Sequence, residues 1–175
     1  MGKRSEFERR KNDLYETFDP RAVAALLPHL RPQTKFIEPC AGRGVLVDQI
    51  VSAGHRCIQA SDIEPGRDDI RQADAMTVEW SPEAFITNPP WTRSLLHPLI
   101  IHLSNQAPTW LLFDADWMHT KQASPYLDRL VRVVSVGRLK WIPGSKMDGK
   151  DNCAWYLFDR LTGGPYKTIF HGRAA

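Results

Sequence analysis

The stretch from Lys35 to Val51 constrains the fold more than any other part of the chain. Lys35-Phe36-Ile37-Glu38 reads as a short buried strand, Cys40-Ala41-Gly42-Arg43-Gly44 as a glycine turn, and the following residues as an amphipathic helix with Val47, Ile50 and Val51 on one face. Glycines in such a turn let the backbone approach a ligand closely, and the helix start offers N–H groups without partners inside the helix. In open α/β sheets ligands sit beyond the carboxyl ends of the strands. A dinucleotide fingerprint would place a third glycine near position 47, where Val47 stands, so the turn speaks against NAD.

Cys57-Ile58-Gln59-Ala60-Ser61-Asp62-Ile63 then reads as a second strand ending in an acid. A carboxylate at that tip suits ribose hydroxyls, so Asp62 is a binding candidate, with a helix cap or turn residue as the lesser alternative.

A third feature carries the chemistry. The apolar run Ala84-Phe85-Ile86-Thr87 leads into Asn88-Pro89-Pro90-Trp91. An amino group on a conjugated ring is a poor nucleophile, because its lone pair is delocalised, and two fixed acceptors on its N–H bonds draw it toward tetrahedral geometry. The Asn88 side-chain carbonyl and the Pro89 backbone carbonyl are such a pair. Successive prolines hold the backbone rigid and carry no N–H of their own. Trp91 adds a stacking face for a flat ring. Asn-Pro also marks turns, and this stretch alone does not separate a turn from a site.

Taken together, Glu38-Pro39-Cys40-Ala41-Gly42-Arg43-Gly44, Asp62 and Asn88-Pro89-Pro90-Trp91 resemble the class I S-adenosylmethionine-dependent amino-methyltransferases, and within them small phage and prophage adenine-N6 DNA methyltransferases. The upstream Asp13-Leu14-Tyr15-Glu16-Thr17 agrees in order and spacing, although that group more often has Pro where Glu16 stands. The resemblance implies S-adenosyl-L-methionine as cofactor. Glu38, Cys40, Ala41, Gly42 and Gly44 would line its methionine part, Asp62 its ribose, Ile63 the face of its adenine and Asp74 the adenine amino group. Tyr15 and Thr17 match the segment that closes over it. Asn88, Pro89, Pro90 and Trp91 would hold the target base, with Trp141 as a second aromatic wall. Cytosine N4, RNA adenine and protein glutamine amides are planar nitrogens of the same kind, and a catalytically silent cofactor-binding subunit is the non-enzymatic alternative.

The remaining chain is read as one domain over residues 1–175. Asp19 is an N-cap and Pro20 the first residue of a helix carrying Val23, Leu26, Leu27 and Leu30. Strands are expected near 34–38, 56–61, 84–87 and 109–114, helices near 44–53 and 97–105, and only a short helix and an edge strand over 64–80. Beyond 120 the pattern turns to β structure, with Val131 to Val136 and Asn152 to Phe158 as strands and Leu139-Lys140-Trp141-Ile142 between them. The expectation is a Rossmann-like α/β fold of about seven strands, mostly parallel, closed by a C-terminal antiparallel hairpin. Residues 143–151 make a mobile hairpin loop in which Lys146 and Lys150 would meet phosphates.

The 175 residues carry a net charge of +3, compatible with nucleic acid without demanding it, and residues 1–12 form a basic arm with Lys3, Arg4, Arg9, Arg10 and Lys11. DNA is ranked ahead of RNA as partner, with monomer and homodimer both open. Few residues are left over for a separate target-recognition domain, so none is expected. No apolar run approaches a membrane helix and no signal segment precedes the domain, which points to the cytoplasm. Cys40, Cys57 and Cys153 match neither a disulfide framework nor a zinc pattern, and His97 and His102, five apart, do not share a helical face, so no metal is expected.

Overall fold

The computed structural model describes residues 15–77, 79–162 and 168–173. The basic arm of residues 1–12, with Asp13 and Leu14, lies outside them.

Eight strands form one sheet: β1 (Lys35–Glu38), β2 (Arg56–Asp62), β3 (Arg71–Gln72), β4 (Ala84–Thr87), β5 (Thr109–Asp114), β6 (Leu130–Arg138), β7 (Asn152–Phe158) and β8 (Ile169–His171). Their order is β3-β2-β1-β4-β5-β7-β6-β8. β7 is antiparallel to both β5 and β6, while every other pairing is parallel. The antiparallel hairpin is therefore present, and one strand more than expected follows it. β8 pairs with β6 through only three residue pairs at the sheet edge. A three-residue strand with exposed Ile169 and Phe170 has little alternation to reveal it in sequence.

The central strands are apolar at successive positions because both faces are covered. Side chains alternate across a strand, so Phe36, Ile86, Trp110 and Leu112 enter one core, with Val23 and Leu26 of α1 (Pro20–Leu26) and Val47 and Ile50 of α2 (Val45–Ser52). Ile37, Phe85, Leu111 and Phe113 enter the other, with Leu96, Leu99, Ile100 and Leu103 of α3 (Arg93–Ser104). Burying each large apolar side chain contributes about 1.5–3 kcal/mol.

Local chemistry fixes the helix positions. Asp19 caps α1 by accepting from the Arg21 N–H at 3.1 Å, and Pro20 fills the first turn. The same carboxylate accepts from the Lys140 N–H at 2.9 Å, and the buried indole of Trp155 donates to the Ala22 carbonyl at 2.8 Å. These two bonds lock α1 to the hairpin. α3 begins four residues before the expected position, with Thr92 as its cap residue, whose carbonyl accepts from the Leu95 and Leu96 N–H groups. Pro98 costs that helix one bond, to the carbonyl of Ser94, whose exposure lets water replace it.

Residues 64–80 form no helix among those described. Pro65 has no N–H to give, the Gly66 N–H is directed to the Gly42 carbonyl at 2.9 Å, and the chain crosses as turns to the two-residue β3. Leu139 to Ile142 lie outside any strand. The 143–151 loop is tethered at two points: Arg21 is bonded bidentately to Asp148 at 2.8 and 3.2 Å, and the Gly149 N–H donates to the Leu139 carbonyl at 2.7 Å. No described helix is long and apolar enough to cross a membrane.

Candidate active site

In this strand order β1 lies between β2 and β4, so the connections leaving β1 and β4 diverge to opposite faces and open a crevice at the carboxyl ends. A cavity of about 240 Å³ occupies that place. The glycine turn forms one wall. Gly42 and Gly44 have φ of +54° and +76°, left-handed conformations that side-chain-bearing residues adopt at a cost, and Gly44 is the residue from which α2 starts. Three bonds stitch the turn to its neighbours: Ala41 N–H to the Ser61 carbonyl, Gly42 N–H to Asp62 Oδ2 at 2.7 Å, and Gly66 N–H to the Gly42 carbonyl. The second oxygen of Asp62 accepts from the Glu64 N–H at 2.9 Å. Asp62 is thus a turn residue as well as a cavity wall, and it shapes the glycine turn directly.

The acidic side chains lining the cavity are Glu16, Glu38, Asp62, Glu64 and Asp74, with no Lys or Arg among the described lining residues. Glu38 is the deepest of them. Burial, reinforced by Asp62 and then Asp48, pushes its carboxyl well above the ordinary carboxylate range. Among the described residues its Oε2 has no hydrogen-bond partner, and neither has the buried Thr17 hydroxyl on the same cavity. Burial, with Asp62 and Glu38 nearby, pushes the Cys40 thiol up to about 12, so it is fully protonated at neutral pH. Apolar side chains open to solvent rim the cavity: Ile63 at 61% exposure, Leu95 at 51% and Met76 at 38%.

Asn88 stands where β4 ends and borders the cavity. Its Nδ2 donates to the Tyr15 carbonyl at 2.8 Å, and its Oδ1 accepts from Trp91 Nε1 at 3.0 Å. Trp91 meets Trp141 edge to face, with centroids 5.6 Å apart, and Trp141 meets Tyr15 in the same manner at 6.4 Å. The three rings form a continuous aromatic wall beside the Asn88 amide.

Comparison with solved structures identifies the architecture. The chain superposes on a Pyrococcus horikoshii protein provisionally assigned as an RNA methyltransferase with a TM-score of 0.56 and 13% identity, over 80% of each chain. It superposes on the magnesium protoporphyrin IX methyltransferase of Synechocystis PCC 6803, which carries bound S-adenosylmethionine, with a TM-score of 0.53 and 11% identity, over 79% of this chain and 76% of that one. The chain has the class I methyltransferase fold. A chain of a type I R-M system gives a TM-score of 0.60 at 12% identity, over 96% of this chain but 46% of its own length. No protein-family model and no curated protein sequence matches the chain.

On this methyltransferase fold, the residues singled out in the sequence fall into three places. Tyr15, Thr17, Glu38, Cys40, Ala41, Gly42, Asp62, Ile63, Asp74, Asn88 and Pro90 line the cavity. Gly44 lies just outside its lining, Pro89 is buried beside it, and Trp91 and Trp141 form the aromatic wall. Lys146 and Lys150 are exposed on the hairpin loop and do not line it. Sequence reasoning missed Glu16, Pro39, Val45, Leu46, Glu64, Ala75, Met76, Leu95 and Leu99 as lining residues. Leu95 escaped because α3 was expected to start after it. Glu16 had a signal, since it sits between Tyr15 and Thr17 where the resembled group more often has Pro.

Proposed function

We propose that the chain binds S-adenosyl-L-methionine in this cavity and methylates the exocyclic amino group of a nucleobase, with adenine N6 in DNA as the first substrate. One observation carries the reading: the Asn88 amide borders a cavity whose charged side chains are all acidic. Such a lining attracts sulfonium and ammonium groups and repels phosphates, which opposes nucleotide cofactors. The unpartnered Glu38 Oε2 and Thr17 hydroxyl fit a ligand rich in polar groups. Asp62 keeps lone pairs free for ribose hydroxyls after accepting two backbone N–H bonds, Ile63 offers an apolar face to adenine, and Asp74 an acceptor to its amino group.

When bound, the cofactor supplies an activated methyl group. The chain supplies orientation. Asn88 Oδ1 spends one lone pair on Trp91 and has a second for an N–H of the incoming amino group, while the Pro89 carbonyl is the second acceptor. Trp91 and Trp141 flank the base, and Lys146 and Lys150 meet the backbone phosphates. Holding amine and methyl in line supplies roughly 7–11 kcal/mol of the barrier reduction. No covalent enzyme intermediate is needed, in keeping with the protonated Cys40 thiol.

RNA is the second reading, supported by the fold likeness to a protein provisionally assigned as an RNA methyltransferase. Mass spectrometry of nucleosides from the DNA and RNA of cells expressing the wild-type chain or Asn88→Ala tests both. N6-methyladenine in DNA from wild type alone is the expected result, and the same mark confined to RNA would transfer the assignment. No new methylated nucleoside, with S-adenosylmethionine binding intact by calorimetry, would leave a silent cofactor-binding subunit.

A further inference from the structure

Tyr15-Glu16-Thr17 borders the cavity, and each of its residues is held by a different element. The Tyr15 carbonyl accepts from Asn88 Nδ2, at the tip of β4. The Thr17 carbonyl accepts from Gln49 Nε2 of α2 at 2.6 Å. Between them, the Glu16 carboxylate collects three N–H donors from Arg43 of the glycine turn: Nε at 2.8 Å, a terminal guanidinium nitrogen at 2.6 Å and the backbone N–H at 3.2 Å.

The Arg43 side chain is 66% exposed and that of Glu16 is 21% exposed. An ion pair this open to water adds little stability, so its charge alone would be unremarkable. The backbone bond gives it another role, because Glu16 thereby grips the turn itself. Tyr15 is bonded directly to Glu16 along the chain, so the grip also fixes the Tyr15 carbonyl. That carbonyl holds the NH₂ end of Asn88, and an amide is planar: fixing the N–H direction fixes the direction of the C=O.

We infer that Glu16 is a positioning residue for the Asn88 amide, pinning segment 15–17 to the glycine turn so that the Asn88 carbonyl is presented in one direction. The inference rests on the proposed role of Asn88 as acceptor of the substrate amino group. It joins the two halves of the site: the turn that faces the cofactor and the amide that faces the base share one chain of contacts from Arg43 through Glu16 and Tyr15 to Asn88.

The test reads the amide directly. In ¹⁵N-labelled protein the Asn88 side-chain amide resonances are assigned by their disappearance in Asn88→Asp. Glu16→Ala is expected to shift both amide protons toward the values of solvent-exposed amides, with Glu16→Gln, which keeps an acceptor oxygen, shifting them less. Arg43→Ala removes the two guanidinium donors and leaves the backbone N–H, so it is expected to shift them in the same direction by less, which covers the case of a Glu16→Ala chain that fails to fold. Resonances unmoved in the folded variants overturn the inference whether or not the chain is an enzyme. With saturating cofactor, Glu16→Ala should lower kcat about tenfold, as a misdirected reacting group does, with a smaller change in KM for DNA. A loss seen only as weaker cofactor binding, with kcat intact, also overturns it. A wild-type chain that methylates neither DNA nor RNA would sink the functional reading, and the resonance shifts would still decide whether the amide is pinned.

Discussion

The Trp91 indole N–H donates to the Asn88 side-chain carbonyl across 3.0 Å, so the ring proposed to stack on a base also steers the oxygen proposed to accept the base's amino hydrogen. The two roles separate by substitution. Trp91→Phe keeps an aromatic face and loses the N–H; it should bind DNA nearly as wild type while kcat falls by up to about tenfold, the worth of one hydrogen bond. Trp91→Ala should lose both, with a raised KM as well. Steady-state kinetics on both variants checks this, and identical profiles would contradict the double role.

Asp62 is a second point of leverage. Both of its oxygens accept backbone N–H bonds, from Gly42 and Glu64, whereas an Asn in its place would present an NH₂ to one of those donors. Hydrogen bonds to a charged group are worth about 1.5–3 kcal/mol, so Asp62→Asn should weaken S-adenosylmethionine binding by one to two orders of magnitude. It should also lower the melting temperature of the ligand-free chain, because the glycine turn loses an anchor. Calorimetry and thermal unfolding measure the two effects, and unchanged affinity would remove Asp62 from the cofactor site.

Glu38 makes stability depend on pH. Its carboxyl is held well above the ordinary range by burial, then by Asp62 and Asp48, so the folded chain binds a proton that the unfolded chain has already released. Stability therefore falls as pH rises from the ordinary carboxylate pKa through the raised one. Glu38→Gln removes this proton uptake. Its melting temperature relative to wild type should climb as pH increases from 5 to 8, and a constant difference across that range would show that Glu38 is not the group responsible.

Lys146 and Lys150 are proposed to meet phosphates. If each neutralises one, then Lys146→Ala with Lys150→Ala should reduce the slope of log affinity against log salt by about 0.9 per lysine on duplex DNA. Fluorescence anisotropy of a labelled oligonucleotide at several salt concentrations gives the slope. An unaltered slope would place the phosphate contacts elsewhere.

The parts of the molecule legible in the sequence are those whose cause is local. Lys35 to Val51 announces a strand, a turn and a helix because the left-handed backbone of the turn needs Gly42 and Gly44 at those two positions. The Asp19 cap and the apolar strands are equally self-contained, and Asn88 is conspicuous because two prolines follow it. What escaped depends on distant partners. The described residues of 64–80 avoid a helix because the Gly66 N–H is used by Gly42, and the short β8 exists only through its pairing with β6. The grip of Glu16 on Arg43 spans 27 positions, and neither residue type signals the other.

On the proposed reading, the fact that every ionisable acid or base lining the cavity, thiol and phenol aside, is a carboxyl group bears on product release as well as on selection. A sulfonium that has given up its methyl group becomes an uncharged thioether, so the spent molecule meets the same carboxylates with one positive charge fewer. If the proposed reaction takes place here, the field that draws the donor in loosens its hold on the spent molecule once the methyl group has gone.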